Sequence, residues 1–336
     1  MTGFSVPISF KYFATISKMN TFCTIINRQY LPFASVLFQS LAKTEPGAQL
    51  QVLVTDVEGG SMLSSPFPGL TYYSQADILN SSMANNIYQK YAASNTDILR
   101  WALKPVFICH LLQKIFEKVI FVDPDMYFVS HHSFLFDALN EHAVLLSPHW
   151  SSMDPLKNED GLYSVLRNGL YSGGFVAASK KGMMAMEWWA GVCHYKMERR
   201  QELGLYDDQK YLDMIPLIEK TTCIIRHKGC NLASINIDSC KREMINNKLL
   251  INQEFEPVFI HFTKDTIINI ANRNDHLLKP FLDNYIVELA AENFDLPSKL
   301  DTMDTATFNS AMYAVKHKAR LRTRLKRFFF RLAEKI

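Results

Sequence analysis

The sequence predicts an α/β fold in which a mostly parallel, twisted sheet is flanked by helices. Residues 20–26 (NTFCTII) and 51–55 (QVLVT) have the apolar, β-branched composition of buried strands, and residues 31–41 between them repeat apolar side chains at helical spacing. A strand, a helix and a second strand in this order form a parallel pair joined by a right-handed crossover. The alternation continues along the chain, which predicts one domain at residues 1–295 and an extension at residues 296–336.

The later elements are predicted from shorter signals. A long helix begins at Thr96, and Pro105 inside it is expected to cause a kink. Residues 158–170 are polar and contain two glycines, which predicts a loop or a short lid. The other predicted elements are strands at residues 119–122, 143–146 and 257–262 and helices at residues 182–201 and 277–294.

The bulk composition is that of a globular protein rather than a secreted or membrane-spanning one. The chain has 336 residues and is 48% hydrophobic, but it lacks an apolar run long enough to span a bilayer and a basic, then apolar, leader segment. Its six cysteines are scattered without a CxxC pair, so we expect reduced thiols and no zinc site. These features predict a cytoplasmic protein.

Positive charge is concentrated in the last part of the chain. Residues 314–336 contain nine Lys or Arg and one acid, and the rest carries 27 basic and 32 acidic residues. A mildly acidic body argues against nucleic acid as a partner. The basic segment predicts an amphipathic helix on an anionic membrane surface, and therefore a peripheral protein on the inner face of the cytoplasmic membrane. A core-packing helix with a solvated basic side is the alternative. Its predicted apolar face consists of Leu321, Leu325, Phe328, Leu332 and Ile336.

Two carboxylates, Asp123 and Asp125, come directly after the predicted buried strand at residues 119–122. Open α/β sheets bind their ligands at the carboxyl ends of the strands, and carboxylates in such a place need a compensating positive charge. A hard divalent cation with oxygen ligands supplies that charge and would also hold a diphosphate. Because Asp and Pro are common turn residues, the Asp-Pro-Asp motif alone indicates a turn.

Three further motifs follow at the starts or ends of predicted elements. Gly173 and Gly174 enter a strand, which indicates close approach of the backbone to a ligand, although a simple turn explains them equally well. Asp207 and Asp208 open a predicted helix, where acidic residues favour the positive end of the helix dipole. His261 ends the late strand at residues 257–262.

In chain order, these motifs resemble the metal-dependent GT-A glycosyltransferases. The likeness is greatest to the retaining galactosyltransferase and glycogenin group and to related bacterial enzymes of surface-polysaccharide synthesis. The matching residues are the β-α-β start, Val-Asp-Pro-Asp at 122–125, Tyr-Ser-Gly-Gly-Phe at 171–175, Asp-Asp-Gln-Lys-Tyr-Leu at 207–212 and His-Phe at 261–262. The resemblance implies an enzyme of class EC 2.4. Its substrates would be a nucleotide diphosphate sugar, by default UDP-linked, and a hydroxyl of a glycan or lipid-linked acceptor. It also implies retention of configuration and a role in lipopolysaccharide or other surface-polysaccharide synthesis.

The resemblance also assigns the metal and catalytic residues. Asp123, Asp125 and His261 match the ligands of Mn²⁺ or Mg²⁺, with Asp123 also near the donor ribose. Asp208 and Gln209 match the pair beside the anomeric carbon. Without the resemblance, His261 reads as a core histidine, and Asp208 as part of a helix start.

The remaining implied contacts are with the nucleotide sugar. Ser172, Gly173 and Gly174 match the segment that cradles the donor sugar, with Ser172 where the family has Asn. Lys104 stands where the family has a basic residue that touches the donor. Asn27 and Gln29 match the loop that binds the base, while Asn231 and Lys264 lie in segments near the diphosphate.

Three other functions use similar features. A nucleotide-sugar hydrolase would use the same site with water as the acceptor. A sugar nucleotidyltransferase also has an α/β sheet, but its Gly-rich, Lys-containing loop is missing after the first strand. A non-enzymatic glycan- or lipid-binding protein would not need Asp123, Asp125 and His261 at strand ends.

Overall fold

A central sheet of seven strands organises the part of the chain that the computed structural model describes, residues 20–57, 63–65, 67–93 and 96–296. The strands of the described chain are β1 (Asn20–Ile26), β2 (Leu50–Val54), β3 (Leu70–Ser74), β4 (Lys118–Val122), β5 (Met126–Phe128), β6 (Val144–Pro148), β7 (Tyr171–Ser179), β8 (Arg199–Arg200), β9 (Leu205–Tyr206), β10 (Thr222–Ile224), β11 (Arg242–Ile245), β12 (Lys248–Ile251) and β13 (Phe259–His261). The central sheet has the order β10-β6-β7-β4-β1-β2-β3.

The sheet is parallel except for one strand. β1 pairs in parallel with β2 and β4, β2 with β3, and β6 with β10. β7 runs antiparallel between β4 and β6. The start of β7 therefore lies at the edge where the parallel strands end. The predicted mostly parallel α/β sheet is confirmed.

Helices connect the strands. They are α1 (Leu31–Thr44), α2 (Ser82–Tyr91), α3 (Thr96–Ala102), α4 (Lys104–Gln113), α5 (Ser133–Glu141), α6 (Pro155–Asn168), α7 (Met183–Tyr195), α8 (Ile215–Ile218), α9 (Lys264–Ala271) and α10 (Lys279–Ala291). Short 3₁₀ helices occupy Arg28–Tyr30, Gln75–Asp77, Lys180–Gly182, Gln201–Leu203, Gln209–Met214, Ser234–Asn236 and His276–Leu278.

Both faces of the sheet are buried. In β4, Val119 and Phe121 belong to one apolar cluster, which includes residues of α4 and α7. Ile120 and Val122 belong to a second cluster, which includes residues of α1. Successive side chains of a strand point to opposite faces, so a continuous apolar run is needed where helices cover both. Burial of each large apolar side chain stabilises the fold by about 1.5–3 kcal/mol.

The predicted long helix from Thr96 is wrong, because the chain forms two helices, α3 and α4. Pro105 lies in the first turn of α4, where its missing N–H removes no helical hydrogen bond. The proline thus begins a new helix rather than bending one. Lys104 becomes the first residue of α4 and sits at the ligand-binding edge of the sheet.

The segment predicted as a loop or lid at residues 158–170 is also different, because residues 155–168 form the helix α6. The Asp154 carboxylate caps its start by accepting a hydrogen bond from Leu156 N at 3.0 Å. The helix kinks at Asn158, whose φ is −150°. Val165 is the one side chain of α6 that is buried. Its sequence is mostly polar and contains Gly161, the composition of a loop, which is why the sequence did not reveal the helix.

Two other predictions need correction. Asp207 and Asp208 do not cap an α-helix with their side chains; residues 209–214 form a 3₁₀ helix instead. The late strand β13 pairs with β5 outside the central sheet, and it begins at Phe259 rather than at residue 257.

The extension at residues 297–336 lies outside the described residues, so the domain boundary and the basic amphipathic helix stay predictions. Within the described ranges, no helix combines the length and the apolar character needed to cross a bilayer.

Candidate active site

Three chain segments meet at the carboxyl edge of β4. Asp123 follows β4, and its backbone N–H donates a hydrogen bond to the carbonyl of Gly174 in β7 at 2.9 Å. Antiparallel pairing of β13 with β5 sets His261 opposite Met126, the residue after Asp125. The backbone alone therefore brings the two acids, the double glycine and the histidine to one place.

Asp123, Asp125 and His261 form a set of potential metal ligands. One ligand atom from each lies within 4.8 Å of the others. His261 Nε2 is 3.1 Å from Asp125 Oδ1 and 4.0 Å from Asp123 Oδ2. Two carboxylate oxygens and an imidazole nitrogen suit a hard or borderline divalent cation such as Mn²⁺ or Mg²⁺. This is the one such group of three among the residues that the structure describes.

Gly174 leaves the space that these ligands occupy. A Cβ atom at this position would lie 2.7 Å from Asp123 Oδ2 and 3.0 Å from His261 Cε1. Any side chain here would displace a carboxylate oxygen of the proposed metal site. The glycine is therefore needed for close approach of the backbone to these side chains, and it lies within β7 rather than in a turn.

The charge states of Asp125 and His261 in the metal-ligand set depend on each other. Burial alone would lower the pKa of His261, but the adjacent Asp125 outweighs it and holds that pKa above its usual range. Burial alone would raise the pKa of Asp125, and the His261 imidazolium outweighs it and holds that pKa below its usual range. A site that stabilises a proton between these groups has the negative potential that also attracts a cation.

Lys104 connects the metal-ligand group to the neighbouring acid. Its ammonium group donates a hydrogen bond to the carbonyl of Gly173 at 2.8 Å. It also lies 3.3 Å from Asp123 Oδ1 and 3.3 Å from Asp208 Oδ2. Burial would lower the pKa of Lys104, but the two carboxylates raise it above its usual value. The side chain is 5% exposed, so this is a buried cation shared by two anions.

Asp208 is a buried carboxylate with an available oxygen. Trp189 Nε1 donates to the backbone carbonyl of Asp208 at 3.0 Å and fixes its position. Its Oδ2 makes the ion pair with Lys104, but no well-directed hydrogen bond from any described residue reaches it. Burial raises the pKa of Asp208 to about 6, although Lys104 opposes the shift. An anionic oxygen held in this way can stabilise positive charge on a ligand.

Gln209 ties α6 to the double glycine. Its Oε1 accepts a hydrogen bond from Gly173 N at 3.1 Å, and its Nε2 donates to the carbonyl of Asn168 at 2.9 Å. Ser172 is 1% exposed, and its hydroxyl accepts a hydrogen bond from Gly174 N at 3.2 Å. Both side chains thus hold the backbone of β7 in place, in addition to any contact with a donor.

The predicted base-binding loop follows β1. Asn27 is half-buried, and its Oδ1 has no hydrogen-bond partner among the described residues, whereas Gln29 is exposed. Sequence reasoning missed Tyr30, the next residue. The Arg100 guanidinium lies 5.0 Å from the centre of its ring. Burial raises the pKa of Tyr30, and Asp125 adds to the increase, so the phenol lies in the field of the metal-ligand group.

A cluster of buried polar groups follows β6. The polar cluster consists of His149, Trp150, Ser151 and Asn231. In each of these residues one side-chain polar atom is buried without a hydrogen-bond partner in the described chain. Asn231 Nδ2 donates to the carbonyl of Pro148 at 3.3 Å, which joins the two segments. Unsatisfied buried polar groups are costly, so several in one place indicate a polar ligand. Apart from Asn231, sequence reasoning missed this cluster, because its residues form no recognisable motif.

Lys228 and Lys264 complete the basic residues of this region. Lys228 Nζ lies 3.7 Å from the centre of the Trp150 ring, a cation–π contact. Lys264 is partly buried and is the first residue of α9, three positions after His261. Both come from the segments on either side of β13.

Comparison with known proteins gives distant relatives. No protein-family model matches the chain. It is 23% identical to the uncharacterized protein YfnF of Bacillus subtilis (strain 168) over 259 residues, which cover 75% of this chain and 83% of YfnF. It is 24% identical to YfnD of the same organism over 258 residues, or 74% of this chain and 78% of YfnD.

Similar solved structures are glycosyltransferases, the class that the sequence motifs resemble. Mouse xyloside xylosyltransferase 1 in its apo form has a TM-score of 0.45 and 11% identity, covering 74% of this chain and 99% of that one. The galactosyltransferase LgtC in complex with donor and acceptor sugar analogues has a TM-score of 0.41 and 12% identity, covering 72% and 87%.

Proposed function

We propose that this protein is a metal-dependent glycosyltransferase. It would move a sugar from a nucleotide diphosphate sugar to a hydroxyl group of a glycan or lipid-linked acceptor. The observation that carries the proposal is the placement of a buried lysine between two groups. Lys104 lies 3.3 Å from Asp123, a member of the metal-ligand set, and 3.3 Å from the buried Asp208. Cleavage of a sugar–diphosphate bond needs positive charge on one side and negative charge on the other.

Asp123, Asp125 and His261 would hold the cation, which neutralises negative charge on a departing diphosphate when it is bound. Lys104 adds a second, fixed positive charge at the same edge. Asp208 supplies the opposite charge, because its buried carboxylate, whose Oδ2 receives no well-directed hydrogen bond in the described chain, is suited to the positive charge that develops at the anomeric carbon of the sugar. Gly173 and Gly174 leave room for the carboxylates of Asp208 and Asp123, and Gln209 holds Gly173 in position.

The polar cluster supports a hydroxyl-bearing acceptor. Its four buried polar atoms lack partners in the described chain, and a polyhydroxyl ligand could satisfy several of them at once. Burial lowers the pKa of His149 to about 4, so the imidazole is neutral near pH 7 and can exchange hydrogen bonds with a sugar hydroxyl. Free water as the acceptor would not require such a surface, which favours transfer over hydrolysis.

The finer assignments rest on the sequence motifs. We propose UDP as the carrier, Mn²⁺ or Mg²⁺ as the metal, retention at the anomeric carbon, and a role in lipopolysaccharide or other surface-polysaccharide synthesis. Asn27 and Gln29 would contact the base, and Asn231 and Lys264 the diphosphate. Asn27 has an unpartnered buried oxygen in the described chain, which suits an N–H donor of the base.

A donor screen tests the proposal. The full chain, Asp125→Ala and Asp137→Asn would be incubated with Mn²⁺, a panel of nucleotide sugars and glycan acceptors, and the products identified by mass spectrometry. We expect transfer by the wild type and by Asp137→Asn, whose carboxylate is exposed on α5, and none by Asp125→Ala. Free sugar released at a rate that ignores the acceptor would identify a hydrolase instead. Absence of both products and of any nucleotide-dependent rise in Tm would contradict the enzyme assignment.

The basic segment at residues 314–336 supports a peripheral membrane location on the cytoplasmic face. Each Lys or Arg near an anionic surface contributes about 1 kcal/mol to binding. The full chain should therefore sediment with anionic liposomes at low salt, be released at high salt, and ignore neutral liposomes. Equal recovery with anionic and neutral liposomes at low salt would contradict this location.

A further inference from the structure

The backbone just before Asp208 has an unusual conformation. Asp207 has φ of 46°, in the left-handed region that non-glycine residues rarely adopt. Its N–H donates to the carbonyl of Glu198 at 3.1 Å, which ties the turn to the segment before β8. Because Asp208 follows at once, the conformation of Asp207 determines where the Asp208 carboxylate points. Neighbouring groups must hold this turn against the conformational cost of a left-handed non-glycine residue.

Arg199 in β8 is placed to hold it. Its guanidinium makes an ion pair with Asp207, whose side chain is 7% exposed. The same guanidinium lies 4.9 Å from the centre of the Trp101 ring and 5.3 Å from that of Tyr206. A planar guanidinium can stack on rings and still donate along its edge, which an ammonium group cannot do.

These contacts join the two elements that carry the central charge pair. Trp101 lies in α3, which ends at Ala102, two residues before Lys104. Asp207 precedes Asp208 directly. Arg199 therefore spans from the helix that leads into the buried lysine to the turn that presents its carboxylate partner.

Arg199 also balances the charge. Burial raises the pKa of Asp207, and Arg199 acts against that increase. Asp208 and Asp123 already share Lys104. Lys104 also interacts electrostatically with Asp207, so without Arg199 the Asp207 carboxylate would compete with Asp208 and Asp123 for that lysine.

We propose that Arg199 is a positioning residue for the transfer reaction, acting through Asp207 to aim the Asp208 carboxylate at Lys104 and the donor sugar. The inference rests on the proposed function of Asp208. It assigns no contact between Arg199 and the substrates. Replacement of the Arg199 side chain should therefore lower kcat and leave the donor KM nearly unchanged.

The chain supplies a matched control on the same strand. Arg200 is exposed and pairs with the exposed Glu202, away from Asp208. Arg199→Gln should reduce kcat by about a hundredfold, the effect of a small misplacement of a catalytic group, with donor KM within about twofold of wild type. Arg200→Gln should match the wild type. Arg199→Lys should recover only part of the rate, because lysine keeps the positive charge but lacks the planar guanidinium that stacks on the aromatic rings.

A double-mutant cycle shows whether Asp207 carries the effect. If Arg199 acts through Asp207, then Arg199→Gln/Asp207→Asn should be no slower than Arg199→Gln alone. Asn also tolerates the left-handed conformation, so Asp207→Asn removes the charge without forcing the backbone to change. Fully additive losses in the cycle would overturn the inference.

Further outcomes separate this inference from its alternatives. A raised donor KM with unchanged kcat in Arg199→Gln would mean that Arg199 contacts the donor, which contradicts a positioning role. A rate loss that equals the loss of folded protein, measured by circular dichroism, would reduce Arg199 to a structural residue. Wild-type protein is assayed alongside, so a failure of the proposed function appears as no transfer by any variant, whereas failure of this inference leaves wild-type transfer intact.

Discussion

Gly174→Ala should disable the proposed metal site while leaving the fold largely intact. The added Cβ would lie 2.7 Å from Asp123 Oδ2, and an ordinary contact begins near 3.4 Å, so the carboxylate oxygen must move by about 0.7 Å. The other near atoms, His261 Cε1 and Met126 Cε at 3.0 Å, are also side-chain atoms that can yield. The strain therefore falls on the ligands rather than on the backbone.

The expected magnitudes follow from that displacement. Overpacking in a core costs about 1–3 kcal/mol, which in a domain of this size lowers Tm by about 2–5 °C. Misplacement of a functional group by about 1 Å costs about a hundredfold in rate. We expect Mn²⁺ affinity, measured by isothermal titration calorimetry, to fall by at least about tenfold, and transfer to fall by about a hundredfold.

Two other glycines serve as controls. Gly191 lies in α7, and a Cβ added there would meet no atom of the described chain within 4 Å, so Gly191→Ala should bind Mn²⁺ normally and be equally or more stable. A Cβ on Gly173 would meet Asp208 Oδ2 at 3.1 Å, so Gly173→Ala should slow transfer and retain metal affinity. Wild-type Mn²⁺ affinity in Gly174→Ala would refute the assignment of Asp123 as a ligand.

Three further predictions concern charge. Asp208→Asn should lower kcat far more than it raises donor KM, measured by steady-state kinetics; equal changes in both would contradict a role in the transition state. Lys104→Met leaves the buried Asp208 and the partly buried Asp123 without their cation, so the free energy of unfolding in urea should fall by about 3 kcal/mol, and an unchanged midpoint would argue against these ion pairs. Burial lowers the pKa of His110 to about 4. Because its unfolded pKa is about 6.5, the unfolding free energy should decrease by up to about 3 kcal/mol as pH falls from 6.5 to 4. His110→Phe should make this acid limb shallower and leave the part due to His149, and the same slope in both proteins would exclude His110 as a source.

The local pattern of the sequence was sufficient for β1, which has the predicted bounds, and for the buried strand before Asp123. Both strands carry apolar side chains on both faces, because both faces are buried. This gives a continuous run of apolar residues, whereas an amphipathic element alternates apolar and polar residues. Helix α6 was predicted as a loop or lid, because only one of its side chains is buried and the segment is therefore mostly polar. The two helices α3 and α4 were merged, because a proline in a first turn and a proline at a kink look alike in a sequence.

The sequence by itself determined the mostly parallel sheet and the position of Asp123 and Asp125 at a strand end. Each depends on residues that are close along the chain. The family resemblance grouped His261 with Asp123 and Asp125, and the structure brings the three together. Only the tertiary structure decided that Lys104 is shared by Asp123 and Asp208 and that Arg199 stacks on Trp101. These contacts join distant segments through strand pairing and helix packing, and charge pairs at such junctions leave no periodic trace in the sequence.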